Sequence, residues 1–278
     1  MNLLKIGKRT IIMGILNVTP DSFSDGGKFF SLGDAVNHAI QMEKEGADII
    51  DIGGESTRPG AKAISLDEEM SRIIPVIEEL VKKIKIPISV DTYKSEIAKK
   101  ALNSGVSMVN DVSALRSDEK LAGIAADYDI PICLMHMKGT PRNMQVNPVY
   151  VDVVQEIHDF LKERSEYAIS NGIKKENIII DPGIGFGKRT GKGIEDNCEI
   201  LNRLSELKDL GFPIMVGASR KTFLGNVYGI DKPLPVTERL EGSLAATNTA
   251  VMNGADIVRV HDVKETRRCV DIVDCIIR

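Results

Sequence analysis

Eight short apolar runs rich in β-branched residues recur along the chain, near 11–16, 47–53, 87–91, 107–111, 131–135, 177–181, 213–217 and 256–260, each followed by room for a helix. Strands that alternate with amphipathic segments read as a parallel sheet covered by crossover helices. Eight such units suggest closure. The expected fold is therefore an α/β protein, a (β/α)8 TIM barrel of eight strands and eight helices forming a single domain over residues 1–278, a length these barrels commonly reach.

Local patterns agree with that reading. In the helical stretch near 149–170, Val153, Ile157, Phe160, Leu161 and Ala168 fall close to one stripe, at the spacing of a face packed on a sheet. Glu-Gly-Ala-Asp-Ile-Ile at 45–50, Ser-Gly-Val-Ser-Met-Val at 104–109 and Asn-Gly-Ala-Asp-Ile-Val at 253–258 share one design, a helix stopping at glycine before an apolar strand. Gly46, Gly105 and Gly254 thus mark turns at the bottom of the barrel. A doubly wound open sheet is the alternative, but no G-x-G-x-x-G follows the first strand. No linker or low-complexity tract interrupts the series.

Composition narrows the partners. The net charge is −4, with Lys and Arg spread along the chain, so there is no electrostatic footprint for nucleic acid or a membrane surface. Small molecules are the expected partners. Cys133, Cys198, Cys269 and Cys275 form no CxxC pair and read as reduced thiols. No run approaches the roughly 18 apolar residues of a membrane span, so the expected location is cytoplasmic.

A barrel enzyme works at the C-terminal ends of its strands, and nearly every expected end here carries a polar residue. Asn17 follows the first strand, Asp51 lies in the second, Asp91 and Asn110 end the third and fourth, and Asp181 ends the sixth. Gly217-Ala218-Ser219-Arg220-Lys221 follows the seventh, and Arg259 and His261 close the eighth. A lone strand-end Asp is equally well a satisfied core or cap residue, and Arg220 alone could be a solvated charge. Several carboxylates buried together, however, need donors, and a ligand rich in N–H groups would supply them to Asp91 and Asp181. Ser219, Arg220, Arg259 and His261 gather where barrels frequently bind phosphate, which points to an anionic substrate. His38 and His158 read as solvated helix residues.

The run NVTPDSFSDGG at 17–27 and GGESTRPG at 53–60 resemble the first and second catalytic loops of dihydropteroate synthases. By composition alone the first would pass as an ordinary surface loop. VDT at 90–92, VNDVS at 109–113, LMHMKGTP at 134–141, DPGIGFGK at 181–188, SRK at 219–221 and RVHDV at 259–263 match in the same order, over nearly the whole chain.

The resemblance implies condensation of 6-hydroxymethyl-7,8-dihydropterin diphosphate with 4-aminobenzoate, giving 7,8-dihydropteroate and diphosphate. Carried over by motif, Asp91, Asn110, Met135, Asp181, Phe186, Lys221 and Arg259 bind the pterin. Phe23, Thr57, Arg58, Pro59, Ser219 and Lys221 form the arylamine site, with Asp25 a further candidate. Asn17 binds Mg²⁺, and Asn17, Arg58, Arg220, Arg259 and His261 hold the diphosphate. Asn17, Asp91, Asp181, Lys221, Arg259 and His261 are the implied catalytic set, and the resemblance implies a homodimer of a family that sulfonamides target.

One departure is the connection from Arg189 to Asn197, longer than the family's usual link; it is expected to bring Lys188, Arg189 and Lys192 to the mouth near Phe186. Ser243, where many members have threonine, is expected not to matter. Three rivals remain at this point. A pterin-binding methyltransferase would not need NVTPDSFSDGG or SRK, a non-catalytic pterin-binding module would not release diphosphate, and a Schiff-base aldolase would yield to borohydride trapping at a lysine.

Overall fold

The computed structural model describes residues 6–19, 32–57, 60–189, 195–228 and 232–278. Eight strands are all parallel: β1 Ile11–Asn17, β2 Ile49–Gly53, β3 Ile88–Asp91, β4 Met108–Asp111, β5 Ile132–Met135, β6 Ile178–Asp181, β7 Met215–Val216 and β8 Ile257–Val260. Their order is β6-β5-β4-β3-β2-β1-β8-β7, and a parallel bridge from Ile180 to Ile214 joins the two ends. All eight expected strands form. β7 is shorter than expected because Pro213 offers no N–H to a ladder.

Around the sheet lie α1 Leu32–Lys44, α2 Leu66–Leu80, α3 Ser95–Asn103, α4 Lys120–Asp127, α5 Val153–Ser170, α6 Glu195–Asn202, α7 Thr222–Tyr228, α8 Leu240–Met252 and α9 Val263–Ile277. Nine helices among the described residues, not eight, follow from the link between β7 and β8, where Pro233 and Pro235 separate α7 from α8. The α5 stripe is as expected: Val153, Ile157, Leu161 and Ala168 are buried, and Phe160 packs partly buried beside them. Gly46, Gly105 and Gly254 have φ of +103°, +106° and +106°, a region where a side chain would be strained.

The strand period of two divides the core. Ile11, Met13, Ile49, Met108, Cys133, Ile179, Met215 and Ile257 fill the barrel interior. Their sequence neighbours Ile12, Ile50, Val109, Ile132, Ile178, Ile180 and Val258 face out into the layer shared with the helices. Two residues beyond the interior set, on the same inward face, come Asp51, Asn110, Met135, Asp181, Gly217 and Arg259. Apolar packing thus forms the plug of the barrel, and polar chemistry sits directly above it.

Candidate active site

Arg259 of β8 is the hub of the polar layer. Its Nε donates to Asp51 Oδ2 (2.6 Å) and its Nη2 to Asp91 Oδ2 (2.7 Å), while Asn110 Nδ2 donates to the same Asp51 oxygen (3.0 Å). Asp51 is fully buried, and its Oδ1 has no hydrogen-bond partner among the described residues. Two carboxylates therefore share one guanidinium, a buried arrangement that holds only while all partners remain. Burial raises Asp91 to a pKa of about 7, with Arg259 opposing the shift and Asp51 adding to it. Burial opposes the charge on Arg259, but Asp51 and Asp91 outweigh it and hold the guanidinium charged. On the far side of Gly53, a Cβ added there would lie 3.6 Å from Asp91 Oδ2 and 3.8 Å from Asn17 Oδ1, so the ends of β1 and β3 meet across a residue without a side chain.

Asp181 ends β6, buried, and accepts from Gly183 N–H through Oδ1 (2.7 Å). Burial raises its pKa; that N–H, Lys221, Lys188 and Arg259 pull it back. The following turn has left-handed glycines at 183, 185 and 187 (φ +69°, +79° and +61°), and a Cβ on Gly183 would lie 1.9 Å from His136 O. Side chains from several elements satisfy its backbone: Lys188 Nζ donates to Pro182 O (2.7 Å) and Gly183 O (2.8 Å), Gln145 Nε2 to Gly185 O (2.7 Å), Tyr150 Oη to Gly187 O (2.6 Å), and Lys221 Nζ to Ile184 O. Gly185 N donates to Asn197 Oδ1 (2.7 Å).

Lys188 corrects the expectation from sequence. It does not stand at the mouth; it is fully buried behind the turn, with Nζ 2.8 Å from His136 Nδ1, and burial lowers the pKa of both groups well below their usual values. Arg189 is tied to the buried Asp196 (Nε to Oδ1, 2.9 Å), and Lys192 lies outside the described residues. Neither His136, Gln145 nor Tyr150 was singled out in the sequence, where each reads as an ordinary residue of its type. His38 and His158 are half-buried, not solvated, and His158 Nε2 lies 3.0 Å from Asp209 Oδ1.

Lys221 Nζ sits 4.2 Å from the centre of the Phe186 ring, within cation–π range. Burial lowers its pKa to about 7, Asp181 working against the shift and Arg259 with it. Lysine-labelled protein should therefore show a side-chain resonance titrating near pH 7 in the ligand-free state, missing from Lys221→Gln; a Lys221 signal titrating with the surface lysines would contradict the enclosure of its amine.

Ser219 Oγ lies 3.1 Å from His261 Nδ1 and accepts from His261 N (3.2 Å). Arg220 has a left-handed φ of +58°, and its guanidinium pairs with Asp262 (Nε to Oδ2, 3.0 Å). Ser243 is buried and its hydroxyl, which a threonine would also carry, accepts from Arg220 N (2.9 Å), while Arg239 Nη1 donates to Arg220 O (3.0 Å), so both hold the SRK turn. Met135 packs with Val112, Met137 and Met144, with Phe186 and Tyr93 against them. Thr57 is half-buried on the loop after β2; Phe23, Asp25, Arg58 and Pro59 lie outside the described residues.

A parallel barrel with a buried, mixed-charge layer at the C-terminal ends of its strands defines a class of small-molecule enzyme, and comparison with known proteins identifies which. The family model described as "Pterin binding enzyme" matches residues 13–261, and the chain belongs to that family. A dihydropteroate synthase of Clostridium beijerinckii is 46% identical over 274 residues, 98% of this chain and 96% of that one. A solved dihydropteroate synthase from Clostridium difficile, in the presence of pteroic acid, superposes with a TM-score of 0.90 at 50% identity, covering 99% of both chains. The Xanthomonas albilineans dihydropteroate synthase with 4-aminobenzoic acid gives 0.88 at 45% identity, covering 96% of this chain and 93% of that one. The activity is that of a dihydropteroate synthase, transfer of a pterin to 4-aminobenzoate.

Proposed function

We propose that the polar layer carries out this transfer in divided roles. Asp181 accepts N–H groups of the pterin edge, Asn110 and Lys221 complete that edge, Asp91 and Arg259 line its other side, and Met135 and Phe186 pack on the ring. Arg259, His261 and Arg220 take the diphosphate, with Arg58. Ser219, Lys221 and Thr57, with Phe23 and Pro59, receive 4-aminobenzoate. The observation that carries this reading is the convergence of Asp51, Asp91, Asn110, Asp181 and Arg259 on one inward face, where Asp51 and Asp91 share the Arg259 guanidinium and Asn110 donates to Asp51.

The step is a substitution at the pterin's exocyclic carbon. Its bond to the diphosphate oxygen breaks, and the electron pair leaves with diphosphate beside the guanidinium of Arg259 and the imidazole of His261. The dihydropterin ring takes up the positive charge left on carbon, which the carboxylates of Asp91 and Asp181 favour. The arylamine nitrogen then forms the new C–N bond with its lone pair and passes a proton to the released diphosphate or to water, so no protein nucleophile is required.

Asn17 suits Mg²⁺: a hard amide oxygen beside Asp91 fits a cation that keeps several waters and takes phosphate oxygens as ligands. Bound there, Mg²⁺ would neutralise charge on the departing diphosphate. Asn17→Ala should lower turnover on the order of a hundredfold with its melting temperature unchanged, and a variant with full turnover at saturating Mg²⁺ would take Asn17 out of the reaction. Diphosphate release from the pterin diphosphate, with and without 4-aminobenzoate, tests the reading as a whole. A cytoplasmic homodimer is part of the proposal. No described helix is long and apolar enough to cross a membrane, and Met252 of α8 with Ile272 and Ile276 of α9 leaves apolar surface exposed for a second copy.

A further inference from the structure

The loop after β2 is fastened at both ends to one short turn, Thr92-Tyr93-Lys94, which continues directly from Asp91 at the end of β3. Lys94 Nζ donates to Glu55 Oε2 (2.6 Å) where the loop begins, to Ile64 O (3.0 Å) where it ends, and to Glu69 Oε2 (2.6 Å) in α2. An ammonium has three donors, and all three are used. Tyr93 Oη donates to Glu55 Oε1 (2.9 Å), and Thr92 Oγ1 to Glu69 Oε1 (2.9 Å). The network is enclosed: Glu69 is 1% exposed, Glu55 10% and Lys94 17%. The Tyr93 ring, meanwhile, packs on the apolar cluster that contains Met135 and has Phe186 against it. One side chain thus touches the wall of the pterin pocket with its ring and the start of the second loop with its hydroxyl.

Burying one ammonium among two carboxylates is a poor way to gain stability alone, since apolar residues of similar volume would often serve as well. A fully satisfied polar network does specify a unique geometry, because any shift leaves a buried charge unpaired. Two residues beyond Glu55 comes Thr57, and three residues before Lys94 stands Asp91. We infer that Tyr93 and Lys94 are positioning residues for 4-aminobenzoate: touching neither substrate, they set the Thr57 loop against the pterin pocket and so determine arylamine affinity. The inference rests on the proposed contact of Thr57 with the arylamine.

Steady-state kinetics of the intact protein with the pterin diphosphate and 4-aminobenzoate test it. Lys94→Met should raise the KM for 4-aminobenzoate about tenfold, and Tyr93→Phe, which keeps the ring and removes the hydroxyl, about threefold. In both, kcat and the KM for the pterin should stay within about twofold, a split that general loosening of the barrel would not produce. Should Lys94→Met fail to fold, Tyr93→Phe carries the test. An unchanged arylamine KM, or both Michaelis constants rising in parallel, would overturn the inference. Thr57→Ala separates the two levels: if it leaves the arylamine KM unchanged, the contact of Thr57 is wrong, whereas a raised value beside unaffected Lys94 and Tyr93 variants leaves the contact standing and removes the latch.

Discussion

Asp181→Asn should weaken pterin binding by on the order of 2–5 kcal/mol, a loss of between roughly thirtyfold and several thousandfold. The substitution keeps the shape of the side chain and leaves an oxygen for Gly183 N–H, which Asp181 now accepts at 2.7 Å. It removes the anionic acceptor, and it turns an NH₂ group toward ring N–H donors. A buried donor facing a donor costs the hydrogen bond and the desolvation together. Calorimetry with the pterin substrate in the absence of arylamine reads the effect directly, alongside a thermal melt to show that the turn at 181–188 is intact. Wild-type affinity in a folded variant would show that the ring edge is held elsewhere.

Arg259→Met should be more damaging still, because it acts on fold and site together. The guanidinium serves Asp51 and Asp91 at 2.6 and 2.7 Å, and Met removes the charge that both carboxylates face. Breaking a buried pair by removing one partner costs about 3–5 kcal/mol. The loss should depend on pH in a defined direction. Asp91 already has a pKa of about 7 with Arg259 opposing the shift, so without Arg259 its pKa rises further above the unfolded value. The folded state then holds a proton that the unfolded chain releases, and stability falls as pH rises through the range between the two values. Melts should show the variant closer to wild type at about pH 5.5 than at about pH 8. Diphosphate release should fall at least about hundredfold, since Arg259 also belongs to the proposed diphosphate site. Arg259→Lys should recover only part, because one ammonium cannot reproduce the planar fork that reaches two carboxylates. Equal destabilisation at both pH values would argue against the raised pKa of Asp91.

The site was legible in the sequence where a periodic rule governed it. Once Ile49, Met108, Ile179 and Ile257 are taken as inward residues, a period of two sends Asp51, Asn110, Asp181 and Arg259 to the same face, one layer nearer the C-terminal ends. Gly46, Gly105 and Gly254 were legible for a similar reason, as a helix stop before a strand demands a left-handed residue and glycine adopts that conformation freely. Lys188 was not legible. A lysine after GFG reads as a solvated cation, and its burial arises only because the left-handed glycines fold its backbone behind Asp181, against His136. Lys94 hid in the same way, its three acceptors coming from Glu55, Ile64 and Glu69.

What the amino-acid order determined by itself was therefore the barrel, its phase, and the layer at which polar groups replace apolar ones, because these follow from backbone geometry repeated every two residues along a strand. What only the tertiary structure decided was the partner of each charge: Arg259 between Asp51 and Asp91, Arg220 on Asp262, Lys188 against His136, and Lys94 between Glu55 and Glu69. A charged residue type enters the sequence with one reference pKa and one set of donors or acceptors, wherever it stands. Its pKa, its neighbours and its role depend on which distant segments the closed barrel brings within about 3 Å of it, and no local pattern encodes that distance.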